Sequence, residues 1–136
     1  MTRDRASVLL IKNNKIGLIK RVKEEAVYYV FPGGGIEEGE TPEIAAKREA
    51  LEEVGVEVKI HECLAKVKFN GIQYFFLAEI IQGTFGAGKG EEYTDEQRNR
   101  GTYLPIWIEI ENLNSINVKP KELVIKIQSL LNQKHS

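Results

Sequence analysis

The chain carries three glutamates at a spacing that a helix would bring onto one side. Glu49, Glu52 and Glu53 lie three and four residues apart in the segment "KREALEEVGVE". An α-helix turns ~100° per residue, so their carboxylates would share an arc roughly 100° wide and would repel one another. Clustered carboxylates are also the ligands that a hard divalent cation such as Mg²⁺ requires. The pattern therefore indicates either a solvated acidic face or a metal site.

A glycine-rich loop stands directly before this acidic segment. The stretch "FPGGGIEEGE", residues 31–40, holds four glycines in ten residues. Glycine adopts backbone conformations closed to other residues and lets backbone carbonyls or amides approach a ligand closely. A simple tight turn does not need so many glycines, because each one adds conformational entropy to the unfolded chain. The loop and the glutamates together favour a ligand site.

A longer pattern runs through both segments. From Gly34 it reads Gly, five residues, Glu40, seven residues, and then "REALEEVGV" to Val56. This resembles the Nudix box, G-x5-E-x7-R-E-U-x-E-E-x-G-U with U aliphatic, over residues 34–56. The one departure is Ala50, where a bulkier aliphatic residue is common. With the flanking elements, the resemblance to a minimal MutT-type Nudix domain covers essentially residues 1–136 as a single domain.

The resemblance implies an enzyme that hydrolyses a nucleoside diphosphate linked to another moiety. Its cofactor would be Mg²⁺, with Mn²⁺ as a substitute. Metal binding would fall to Glu52 and Glu53, to Glu49, and to the backbone carbonyl of Gly33 or Gly34. The residues expected to be catalytic are Glu49 and Glu53, with Glu49 binding the metal or orienting and deprotonating the water. The repelling glutamates would then be neutralised by the cation they bind.

Further roles follow from the same resemblance. The residues expected to contact the substrate are Arg21, Phe31, Gly33 and Gly34. Those expected to be structural within the box are Gly34, Glu40, Arg48 and Gly55. We expect Arg48 to form a salt bridge that steadies the carboxylates, and Glu40 to stabilise the junction between loop and helix.

Composition narrows the class of protein and the kinds of partner and metal that it can bind. The 136 residues are 42% hydrophobic, and 19 Lys and Arg against 20 Asp and Glu leave a net charge of −1. We therefore expect one globular domain, monomeric or homodimeric, that binds a small nucleotide and neither nucleic acid nor membrane. One cysteine and two histidines exclude an internal disulfide and make a zinc site implausible. With no visible targeting segment, we predict a cytoplasmic protein.

The apolar periodicity predicts an α+β fold. Strands are expected at 6–11, 16–22, 27–31, 64–69, 72–81 and 107–110, and helices at 42–54 and 120–133. Thr41 is expected to cap the first helix and Gly55 to end it. Ile44, Ala50, Leu51 and Val54 are expected to face the sheet. Combined with the resemblance, this predicts an α/β/α sandwich. Its mixed sheet would carry the Nudix loop-helix-loop on one face and the C-terminal helix on the other.

The substrate is the least determined feature. Overall size favours a nucleoside triphosphate, cleaved to a nucleoside monophosphate and pyrophosphate. The alternatives are an NDP-sugar, ADP-ribose or a dinucleoside polyphosphate, or a Nudix module that senses nucleotide without cleaving it. The polar stretch between Gln82 and Gly101 offers a further carboxylate to the site from one of Glu91, Glu92, Asp95 and Glu96.

Overall fold

The structure is a computed structural model that describes residues 3–86 and 102–134. The four acids expected to reach the site from the 82–101 stretch lie outside the described residues. In chain order the elements are β1 (Arg5–Lys12), β2 (Lys15–Lys23), β3 (Ala26–Val30), β4 (Gly33–Gly35), α1 (Pro42–Val54), β5 (Val56–Lys68), β6 (Ile72–Gly83), β7 (Thr102–Glu109), a 3₁₀ helix (Ile110–Ser115), β8 (Val118–Lys119) and α2 (Leu123–Lys134). Neither α1 nor α2 combines the length and apolar character that crossing a membrane demands.

The described strands form one mixed sheet in the order β5-β6-β1-β2-β3-β8. β4 adds to β1, and β7 adds to β2. The pairs β1/β6 and β3/β8 are parallel, and the other pairs are antiparallel. The β5–β6 hairpin turns at Asn70 and Gly71, both with positive φ, as the Asn-Gly signal predicts.

Two hydrophobic cores lie on opposite faces of this sheet. Side chains alternate along β1, so Val8 faces one core and Leu9 faces the other. The first core packs beneath α1 and the second beneath α2, where Leu123 and Ile127 are fully buried. The sandwich of two helices around a mixed sheet is therefore confirmed.

The buried face of α1 differs from the predicted one. Ile44 and Leu51 were expected to pack on the sheet, but their side chains are 54% and 53% exposed. The face that packs consists of small residues, namely the expected Ala50 and Val54 together with Ala45 and Ala46. Small side chains let the helix axis approach the sheet closely, and the glutamates then lie at the margin of the contact. The prediction is confirmed for Ala50 and Val54 and wrong for Ile44 and Leu51, because the narrow space between helix and sheet admits small side chains.

The ends of α1 follow the sequence closely. The Thr41 hydroxyl accepts a hydrogen bond from the Ile44 N–H at 3.2 Å, and Pro42 occupies the first turn. Gly55 ends the helix in the left-handed conformation with φ of 76°, and its N–H caps the last turn. By contrast, the glycine run predicts a loop, yet Gly33–Gly35 pairs with β1 as β4. Three glycines carry no side-chain alternation, so the sequence held no signal for this strand.

Candidate active site

Arg48 joins the glycine-rich loop to α1. Its Nε and Nη2 donate to the two carboxylate oxygens of Glu40 at 2.7 and 2.8 Å, a bidentate pair. Nη2 also donates to the Gly35 carbonyl at 3.0 Å, and the Glu37 N–H donates to Glu40 at 2.9 Å. The hydrogen bonds from Arg48, followed by the bond from Glu37, lower the pKa of Glu40 to about 2. The loop and the helix are thus held in one fixed relation.

Glu49 lies beneath the loop. Its side chain is 16% exposed, and Oε2 accepts a hydrogen bond from Arg48 Nη1 at 3.0 Å. A Cβ atom added at Gly34 would collide with the Glu49 carboxylate, so this approach requires glycine. Burial raises the pKa of Glu49, and the hydrogen bond from Arg48 opposes that rise.

Glu53 and Glu52 differ in their surroundings. The Gly33 N–H donates to Glu53 Oε1 at 3.1 Å, which places this carboxylate against the backbone of β4. Glu52 is 59% exposed and reaches Arg48 Nη1 at 3.3 Å. The structure therefore brings Glu49 and Glu53 against the glycine-rich loop and leaves Glu52 facing solvent.

The donor set suits a hard cation, but its side chains are turned toward other partners. Within residues 3–86 and 102–134, no three His, Cys, Asp or Glu side chains converge as a metal-holding group. Glu49 and Glu52 are bonded to Arg48, and Glu53 is bonded to the Gly33 N–H. Carboxylate and backbone oxygens are the ligands that Mg²⁺ prefers. The residue types fit Mg²⁺, and holding the ion would require the carboxylates to reorient.

A cavity of about 390 Å³ opens on the face of the sheet that carries α2, opposite the face that carries α1. Its lining includes Phe31, which is buried and packs edge-to-face on Phe75 with ring centroids 5.6 Å apart. Ser7, also in the lining, pairs in register with Gly33, whose N–H holds Glu53. The cavity is therefore linked to Glu53 through the pairing of β1 with β4.

Arg21 lies outside the lining of this cavity. Its guanidinium carbon stands 3.8 Å from the centroid of the Tyr103 ring and 5.7 Å from that of Tyr28. It does not line the cavity that Phe31 lines, so the structure does not bring these two expected substrate contacts together.

Ser7 and Arg5 line the cavity but were not singled out in the sequence. The available signal was Ser7 itself, the one polar residue in the apolar run "ASVLLI". A buried hydroxyl in such a run needs a reason beyond packing. Arg5 offered no comparable signal, since a cation at the start of a strand is common on protein surfaces.

Comparison with known proteins identifies the family. The NUDIX domain model matches residues 1–124. An RNA pyrophosphohydrolase of Rickettsia bellii is 31% identical over 121 residues, covering 80% of this chain and 75% of its own length. An 8-oxo-dGTP diphosphatase of Buchnera aphidicola is 33% identical over 115 residues, covering 80% and 78%. The crystal structure of a MutT NUDIX hydrolase from Burkholderia pseudomallei superposes with a TM-score of 0.72 at 21% identity, covering 93% of this chain and 97% of that one. The chain is therefore a hydrolase of the Nudix family.

Proposed function

We propose that this protein hydrolyses a nucleoside triphosphate at a phosphoric anhydride bond, giving a nucleoside monophosphate and pyrophosphate. The observation that carries the proposal is the pair of carboxylates, Glu49 and Glu53, packed against the glycines of β4. A backbone with no side chains leaves room for phosphate groups to reach these carboxylates. The cavity lined by Phe31 has aromatic walls and room for a nucleoside.

In this proposal Mg²⁺ is held by Glu49, Glu52, Glu53 and the carbonyl of Gly33, and Mn²⁺ can replace it. When bound, the cation neutralises the phosphate charge that would repel a nucleophile and acidifies water. Arg48 holds Glu49 and Glu52 close to the loop, because it also bonds the Gly35 carbonyl. Gly34 permits the close approach of Glu49.

Glu49 is the proposed general base. A base works best when its pKa lies near the working pH, and burial moves the pKa of Glu49 upward in that direction. Arg48 limits the rise by hydrogen bonding to the ionised form. The upward shift makes the Glu49 carboxylate a stronger base than an exposed glutamate. Glu53 is proposed to hold the cation and to assist in orienting the water.

A second candidate substrate is the triphosphorylated 5′ end of an RNA. Arg5, Lys68 and Lys119 surround the mouth of the cavity and offer positive charge to a phosphodiester chain. One relative is named an RNA pyrophosphohydrolase. This candidate would replace the expectation that the protein acts without nucleic acid. Equal kcat/KM for a nucleoside triphosphate and for a triphosphorylated oligonucleotide of the same first base would count against it.

We propose a cytoplasmic protein that acts as a monomer or homodimer. The single cysteine, Cys63, supports a reducing compartment.

Turnover with Mg²⁺ tests the proposed reaction. Pyrophosphate release would be measured over a panel of (d)NTPs, NDP-sugars, ADP-ribose and dinucleoside polyphosphates. Glu53→Gln is expected to lower kcat by on the order of 10²-fold or more, because it removes a charge from the carboxylate pair. Glu43→Gln, an exposed position in the first turn of α1, is the matched control and should retain full activity. Activity of Glu53→Gln within a few-fold of wild type would reject this site.

Thermal unfolding with and without millimolar Mg²⁺ tests the cation separately. A ligand that binds the folded state alone raises the melting temperature by mass action. Wild type should gain more from Mg²⁺ than Glu53→Gln does. Equal shifts would reject the metal assignment, whereas Mg²⁺ and nucleotide binding without turnover would identify a sensor.

A further inference from the structure

One side chain at the mouth of the 390 Å³ cavity has no evident packing role. Phe69 follows the last residue of β5 and lines this cavity, and its side chain is 65% exposed. Among the described residues it is the one aromatic side chain in the set of exposed large hydrophobic residues. Isolated exposed apolar residues are common on proteins, so exposure alone does not indicate a ligand site. The distinguishing observation is its position on the rim of a cavity that reaches Ser7, the register partner of Gly33.

The backbone beneath Phe69 is held firmly. The Phe69 N–H donates to the Gly71 carbonyl at 2.9 Å, which closes the hairpin turn. The Arg3 N–H donates to the Asn70 carbonyl at 2.9 Å, and the Ile72 N–H donates to Asp4 Oδ1 at 2.9 Å. These bonds tie the hairpin turn to the residues that precede β1. The ring is therefore presented from an ordered turn, so little entropy would be lost when it meets a flat ligand.

The surroundings of the cavity specify the ligand. Its inner wall is aromatic, formed by Phe31 and Phe75, and its rim carries the cations Arg5, Lys68 and Lys119 against one anion, Glu122. An apolar interior with a positive rim suits a molecule that has a flat, uncharged part and an anionic part. A nucleoside phosphate has this form. The anionic part would point toward β4, because Ser7 of the cavity pairs with Gly33.

We propose that Phe69 stacks on the nucleobase of the substrate and makes this enzyme select nucleotides over phosphoric anhydrides that lack an aromatic base. The inference rests on the proposed function, since it assumes that the phosphates lie at Glu49 and Glu53. Stacking between a base and an aromatic ring is sequence-tolerant, because every base has a π face. Phe69 thus contributes affinity for bases in general, and discrimination among bases falls to other groups of the cavity.

The test compares substrates with and without a base. KM and kcat would be measured for dGTP, dATP and ribose 5-triphosphate with wild type, Phe69→Ala and Phe69→Tyr. Phe69→Ala should raise KM for both deoxynucleotides about 10-fold, the change that ~1.4 kcal/mol of stacking produces, and should leave kcat within about two-fold. Phe69→Tyr should restore KM, because the ring is kept. KM for ribose 5-triphosphate should be the same in all three proteins.

Control variants distinguish a failure of the stacking role of Phe69 from a failure of the proposed function. Ile81→Ala removes another exposed apolar side chain, near the far end of β6 and outside the cavity lining, and should change neither KM nor kcat. Unchanged KM in Phe69→Ala, or an equal rise for ribose 5-triphosphate, would overturn the stacking role while leaving the proposed function intact.

If wild type cleaves no triphosphate, the proposed function fails and binding decides the inference. Calorimetry with dGMP and with deoxyribose 5-phosphate provides that measurement. Stacking is supported if the Kd for dGMP rises about 10-fold in Phe69→Ala and in no other variant. Equal Kd values in wild type and Phe69→Ala overturn it.

Discussion

The two helices bury faces of opposite character against the same sheet. α2 buries large aliphatic residues, with Leu123 and Ile127 fully enclosed. α1 buries mainly alanines, and carries glutamates at the margin of its contact. Large side chains supply more stabilising area and keep a helix at a distance, whereas alanines supply little area and permit close approach. α2 thus serves stability, and α1 places carboxylates against a backbone.

Removing a large side chain from α2 should produce the largest loss of stability. Ile127→Ala is expected to lower the free energy of unfolding by about 2–5 kcal/mol, because the side chain is fully buried and leaves a cavity. Urea unfolding measures the loss, and kcat of the folded protein should be unchanged. The matched variant is Leu51→Ala in α1, which should cost under ~1 kcal/mol because that side chain is half exposed. Equal losses of unfolding free energy in the two variants would contradict the difference between the two helices.

Enlarging a small side chain in α1 should affect both stability and activity. Ala46→Leu is expected to cost about 1–3 kcal/mol, because the side chain is fully buried and has no room to grow. The helix must shift outward and carry Glu49 away from Gly34, so kcat should fall as well. Unfolding and turnover would be measured on the same sample. A stable, fully active Ala46→Leu would show that the close approach of α1 is not needed.

A methyl group added at Gly33 or at Gly34 should distinguish the positioning of Glu49 from the stability of the fold. Gly34→Ala meets only the far end of the Glu49 side chain, so stability should stay within about 1 kcal/mol while activity falls about 10-fold or more. Gly33→Ala meets the backbone at Ala6 and Ser7, so it should cost about 1–3 kcal/mol. Turnover and urea unfolding of both variants test this difference. Unimpaired turnover in Gly34→Ala would show that Glu49 does not need its observed place.

The pH dependence of stability should give the smallest effect. The pKa of Glu40 lies below its ordinary value of 4.5, at about 2, so its ionised form stabilises the folded state above pH 4.5. That stabilisation is lost as pH falls from 4.5 toward 2. Glu40→Gln should therefore lose less stability than wild type over this window, measured by urea unfolding at each pH.

The raised pKa of Glu49 acts in the opposite direction, since it favours the folded state upon acidification. Because Arg48 bonds both carboxylates, Glu49→Gln and the double variant Glu40→Gln/Glu49→Gln would be measured as well, so that the Glu40 contribution is obtained without Glu49. Glu57→Gln, which removes an exposed carboxylate from β5, controls for the change in net charge. Parallel pH profiles for wild type and Glu40→Gln would show that the bond between Arg48 and Glu40 is not coupled to folding.

The sequence by itself determined the features that depend on neighbouring residues. The ends of α1 follow from Thr41 and Gly55, and the β5–β6 turn follows from Asn70 and Gly71. These signals work within three or four residues, through capping bonds and permitted φ values. The box of residues 34–56 identified the family by the same kind of fixed spacing.

The tertiary structure alone decided which side chains meet. It buried Ala46 in place of Leu51, separated Arg21 from Phe31, and brought Phe69 to the cavity. Burial depends on the distance between a helix and the strands beneath it, and that distance is set by every side chain in the layer. The strand pairing that carries Gly33 alongside Ser7 joins residues 26 positions apart, and no local pattern encodes it. The sequence therefore indicated the type of reaction, whereas the shape of the site depended on the tertiary structure.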